Sequence, residues 1–150
     1  MSKRQLILLS GLVILSLSVF LLMSWQLQGI GFPLDDAWIH QTFARNFAEH
    51  GEWAFIVGQP SGGSTAPLWS AMLSIGVWSN LAPFPITYIF GVSLLFALAL
   101  LGIHAWRALL PAKENWAFAV GLILIFEWHL VWAALSGWKP CSTRFYLHSF

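Results

Sequence analysis

The chain has 150 residues, of which 58% are hydrophobic and 9% charged, and it carries 10 Trp; soluble domains are about one quarter charged. That length leaves room for one domain at most. A net charge of +1 argues against a nucleic-acid partner, and a single cysteine, Cys141, excludes an internal disulfide and a cysteine metal cluster. The composition is that of an integral membrane protein, and tryptophan at this density suits rings held at headgroup level.

Lys3 and Arg4 precede an apolar run whose heart, Leu6 to Trp25, is long enough to cross a hydrocarbon core of about 30 Å as a helix. Its end, Ser24-Trp25-Gln26-Leu27-Gln28, offers no small-residue cleavage site, so residues 6–27 are expected to form an uncleaved first span. The positive N-terminus is expected to stay cytoplasmic. Residues 28–66 then form an external loop. Gly29, Gly31 and Pro33 break the first helix, and Asp35 stands where an N-cap would start the next. From Asp36 to His50 the pattern is helical: Ile39, Phe43 and Phe47 form one stripe, and Gln41, Arg45 and Glu49 point away from it. Such a helix can lie along a membrane surface, and Gly51 ends it.

Gly58 to Pro67 (GQPSGGSTAP) is a polar, glycine-rich loop whose backbone amides can approach a bound group closely. Pro67 opens a second apolar segment, about 67–82, which is short for a full crossing. Pro83 and Pro85 interrupt it before a third span, 86–106. A linker with Arg107, Lys113 and Glu114 leads to a fourth span, 116–135, which contains Glu127 and His129. Two residues apart, these two lie on different faces of a helix and make a poor site pair. Simple alternation puts the basic linker outside, against the positive-inside tendency; a re-entrant segment at 68–81 removes the conflict, and both arrangements stay open.

Asp35 and Asp36 are the only adjacent carboxylates. Taken by residue type alone, Asp35 is an N-cap and Asp36 a solvated first-turn charge. Arg45 can equally snorkel to lipid phosphates, and a lone histidine such as His40 is more often a surface polar residue than a ligand.

The run DDAWIHQTFARNFAEHGEWAF followed by GQPSGGSTAPLW resembles the first external loop of GT-C superfamily glycosyltransferases, closest to arabinofuranosyltransferase-like and protein-mannosyltransferase-like members. The matching positions are Asp35-Asp36, Trp38-Ile39, Ala44-Arg45-Asn46, Ala48, Gly51, Phe55 and Gly63 to Trp69, and the likeness covers about residues 6 to 137. It implies an all-α membrane protein, the N-terminal part of a multi-spanning fold, with a juxtamembrane helix in the first external loop. It further implies transfer of a sugar from a polyprenyl-phosphate donor to an envelope glycan, lipid or protein at the outer face of a bacterial inner membrane. In that chemistry a carboxylate takes the acceptor proton as the anomeric carbon becomes oxocarbenium-like. By resemblance Asp35 is the leading general base, and Asp36 is the alternative base or orients the acceptor. His40, Arg45 and the stretch around Gly63, Ser64 and Thr65 are the candidate phosphate or sugar contacts. Some members use a divalent metal and others none; two Asp and one His do not decide it.

After Ala134-Leu135-Ser136-Gly137, members of this superfamily typically continue with Met-Glu-Thr and another hydrophobic run, whereas this chain gives WKPCSTRFYLHSF. If Gly137 is encoded GGA, the frame one base earlier reads Met-Glu-Thr through Trp138, Lys139 and Pro140. Residues 138–150 are therefore expected to be a frameshifted tail of a longer enzyme, and the chain alone is expected to be inactive. The rival readings are a non-enzymatic membrane subunit whose loop binds a partner, and a transporter fragment with Glu127 and His129 in an ion path.

Overall fold

The computed structural model describes residues 2–28 and 35–135, with the side chains of 24, 27, 28, 35 and 36 outside that description. The elements in order are α1 (Lys3–Gln28), α2 (Asp35–His50), β1 (Ala54–Ile56), β2 (Gln59–Pro60), α3 (Pro67–Trp78), α4 (Pro83–Leu109), a 3-10 helix (Pro111–Trp116), α5 (Ala117–Phe126) and α6 (Trp128–Ala134). Two helices, α1 and α4, are long and apolar enough to cross a membrane, and the chain is a predominantly helical membrane protein. This is compatible with the all-α expectation, to which the described residues add the small β1–β2 hairpin. The described elements fall into two compact units: residues 2–27 with 89–135, and residues 35–88.

In the first unit, α1 begins with a reciprocal cap. Ser2 Oγ accepts the Gln5 amide at 3.2 Å, and Gln5 Oε1 accepts the Ser2 amide at 2.9 Å, which satisfies donors a helix start leaves open. Its 26 residues extend about 39 Å. Leu9, Val13 and Leu17 are buried at four-residue spacing, and Leu95, Ala99 and Ile103 repeat that spacing on α4. Small residues let the helices close in. A Cβ on Gly91 would land on the Ala134 carbonyl, and one on Gly121 would meet Ile103 Cδ1 at 2.6 Å. Close backbone approach through glycine is how helices associate where lipid removes the hydrophobic drive.

The prolines separate the second and third apolar segments as expected, but the third span takes them in and starts before residue 86. α4 starts at Pro83, because a proline in the first helical turn removes only an amide that has no partner there. The expected fourth span is broken: α5 and α6 are bent by 59° at Glu127, whose backbone is extended (φ −68°, ψ 119°). Ser16 Oγ donates to the Ile125 carbonyl at 2.9 Å, an oxygen that an unbroken helix would pair with the amide at 129.

In the second unit, α2 packs on α3 with Phe43 and Ala44 fully buried. Phe43 and Phe47 meet Trp53 at 5.6 and 5.5 Å, and Phe47 also meets Trp78 at 6.0 Å. Gly51 ends α2 with φ 69°, as expected. Gln41, expected to point away from the packed stripe, is buried: its Nε2 donates to Thr87 Oγ1 at 2.8 Å, and Thr87 donates on to the Pro83 carbonyl at 2.7 Å. α3 has 12 residues, about 18 Å, which is short of a full crossing. Its inward face is mixed: Ser70, Ser74 and Gly76 are buried beside Leu73, while Leu68 is 75% exposed and Trp78 59%. The tail 138–150 and the expected helix breakers Gly29, Gly31 and Pro33 lie outside the described residues.

Candidate functional site

The site read from sequence falls in the second unit. Asp35 and Asp36 are the first two residues of α2, at the end of the helix where the dipole favours negative charge. Their side chains lie outside the described part of the structure. His40 follows one turn after Asp36. It is buried, not the surface polar residue expected of a lone histidine. Its Nδ1 is 2.9 Å from Ser70 Oγ and 3.4 Å from Ser64 Oγ, and the two hydroxyls are 2.9 Å apart. Ser70 Oγ also lies 3.4 Å from the Ala66 carbonyl.

This cluster is a clasp. His40 comes from α2, Ser64 from the glycine-rich loop and Ser70 from the first turn of α3, so three polar groups draw three elements together. A serine within reach of a histidine nitrogen is also the geometry of an activated nucleophile. Here Ser70 is 0% exposed, so no substrate reaches it, and the cluster works as internal scaffolding. Buried polar groups are tolerable only when each finds a partner.

The remaining candidates diverge from the clasp. Gly63 and Thr65 flank Ser64 and are exposed. The Gly63 amide, a candidate phosphate donor, is engaged by Ser61 Oγ at 3.2 Å. Arg45 is exposed and has no ion pair among the described residues. Five residues after His40, it stands well round the helix from the clasp. Among the described residues no three His, Cys, Asp or Glu side chains converge as for a metal ion.

Sequence reasoning passed over Ser70 and misplaced Gln41. For Ser70 a signal was present: Ser70 and Ser74 stand one turn apart in an otherwise apolar helix, a spacing that lines one face. In the first unit, the dismissal of Glu127 and His129 as a pair is corrected. His129 Nδ1 and Glu127 Oε1 are 2.7 Å apart, because Glu127 sits in the break as the N-cap of α6, accepting from the Leu130 amide at 2.8 Å. The two-residue spacing separates side chains on a continuous helix only. Compared with family models, with curated proteins and with solved structures, the chain matches none of them.

Proposed function

We propose that the chain is the N-terminal membrane part of a GT-C-type glycosyltransferase that uses a polyprenyl-phosphate sugar, with the loop 28–66 at the outer face of a bacterial inner membrane. One observation carries the reading. The two halves of the resembling motif are one local structure, since His40 of the DDAWIH stretch is bonded to Ser64 of the GGSTAPLW stretch and to Ser70 just beyond it. The loop is thereby held against the same helix whose first turn supplies Asp35 and Asp36. In the proposed reaction Asp35 takes the acceptor hydroxyl proton, and Asp36 orients the acceptor or serves as base in its place. Arg45 and the exposed loop at Thr65 offset the charge of the departing lipid phosphate, with the Gly63 amide joining once Ser61 Oγ releases it, while His40 and Ser64 hold the loop in place.

The genomic DNA is read past the codon of Leu135, and sugar transfer from a radiolabelled polyprenyl-phosphate donor is measured in membranes from cells expressing the frame-restored gene, since the 150-residue chain alone is expected to be inactive. Asp35→Asn should lower transfer by about 100-fold or more, the usual worth of a general base, while Glu49→Gln, on the exposed side of α2, should not. Equal transfer by Asp35→Asn and the parent would overturn the assignment. A second reading, a non-enzymatic subunit, is favoured by the mutual satisfaction of the Ser64 and Ser70 hydroxyls inside the clasp. Under it Asp35→Asn keeps its partner.

A further inference from the structure

We infer that the tip of the β1–β2 hairpin, Phe55-Ile56-Val57, is a wedge that inserts into the lipid surface and fixes the loop between α2 and α3 to the bilayer. Nothing in this inference depends on glycosyl transfer. Strand side chains ordinarily alternate between a packed and a solvated face. Here three consecutive apolar residues are all turned out: Phe55 is 48% exposed, Ile56 57% and Val57 47%. No ionisable side chain occurs from Trp53 to Gln59.

The tip is rigid and prepared for an apolar medium. Asn46 Nδ2 donates to the Ala54 carbonyl at 2.9 Å and to the Phe55 carbonyl at 3.1 Å. The Ser61 amide donates to the Trp53 carbonyl at 3.0 Å, and the Gly58 amide donates to Glu52 Oε2 at 2.6 Å. Phe43, 6.2 Å from Phe55, and Trp53 form the floor beneath it. Backbone groups entering lipid must already have partners, and the Asn46 and Glu52 side chains supply three of them. Glu52, the nearest acid, reaches up to the turn, where its carboxylate caps the Gly58 amide.

The occupant is lipid because the unit carrying the hairpin is itself rooted in the bilayer. That unit includes the first turns of α4, Pro83 to Tyr88, and α4 with its 27 residues extends about 40 Å, longer than the hydrocarbon core of about 30 Å. The start of α4 therefore reaches the interface. Half-exposed Phe, Ile and Val on a stiff turn then find a surface that takes apolar side chains.

Single nitroxide labels in a Cys141→Ser background test this, in vesicles of phosphatidylethanolamine and phosphatidylglycerol. One label replaces Ile56, and the control replaces Glu49 on the exposed side of α2. Collision with oxygen, which concentrates in lipid, is compared with collision with a water-soluble nickel chelate. The oxygen-to-nickel ratio at Ile56 should exceed that at Glu49 several-fold. A ratio at Ile56 equal to the control would overturn the inference, as would protection from both agents, which would place the tip against protein.

Discussion

Replacing Ser70 by alanine removes one oxygen from a site that water does not reach. Ser70 Oγ is the partner at 2.9 Å of both His40 Nδ1 and Ser64 Oγ, and all three residues are buried. After the change, His40 and Ser64 both lose Ser70 Oγ and keep their mutual contact at 3.4 Å, the weakest of the three. A buried polar group that loses its partner costs about 1–3 kcal/mol. Because that remaining contact can shorten, the cost should sit mid-range, at about 2 kcal/mol, which is roughly a 30-fold change in an opening equilibrium. The opening is that of the glycine-rich loop from α2 and α3. Hydrogen exchange at the amides of residues 62–66, followed by mass spectrometry on the detergent-solubilised chain, should therefore speed up by about 30-fold. Thr42→Ala is the control. Its hydroxyl bonds only the Trp38 carbonyl one turn back, and its loss should change stability by about 0.5 kcal/mol or less. Equal exchange in Ser70→Ala and Thr42→Ala would refute the clasp.

Gly91→Leu should drive α4 from α6, since a Cβ there lands on the Ala134 carbonyl; a lower melting temperature in detergent is expected, while Gly11→Ala, with nothing within 4 Å, leaves it unchanged or raised. Ser16→Ala leaves the Ile125 carbonyl without its donor and should cost about 1 kcal/mol, read from unfolding in mixed micelles. Glu127→Ala removes the N-cap of α6 and the partner of His129; loss of helical circular dichroism is expected, with Glu127→Asp retaining more of it. Gly58→Ala meets nothing within 4 Å but adopts φ +82°, so its cost of about 1–2 kcal/mol is purely backbone strain. Faster exchange across residues 54–60, with Gly62→Ala as the silent control, would show it.

The two long apolar helices α1 and α4 were legible in sequence because lipid imposes a length: a run of about 20 apolar residues needs no tertiary context to be read. The start of α4 was misplaced because proline was taken as a stop, whereas it also tolerates a first turn. Gln41 was placed outside because it is polar, yet its partner Thr87 is 46 residues away and no local pattern announces it. The hairpin strands have three and two residues, too few for a period to register. The break at Glu127 rests on one ψ angle in an otherwise apolar run. For the site, the resemblance singled out His40 and Ser64, and the structure brings these together; it missed Ser70, which completes the clasp, and Arg45 and Thr65 stand apart from it.

The break at Glu127 sets an order of assembly. α5 has 10 residues and α6 seven, about 15 and 10 Å, and neither alone spans the hydrocarbon core. The carbonyl exposed at their junction finds its donor on α1, through Ser16, and α6 closes against α4 at Gly91. α1 and α4 are self-sufficient and can insert independently, as a two-stage scheme requires. The bent segment is therefore expected to insert after them, and a lesion in α1 or α4 is expected to leave residues 117–134 outside the bilayer before it alters anything else.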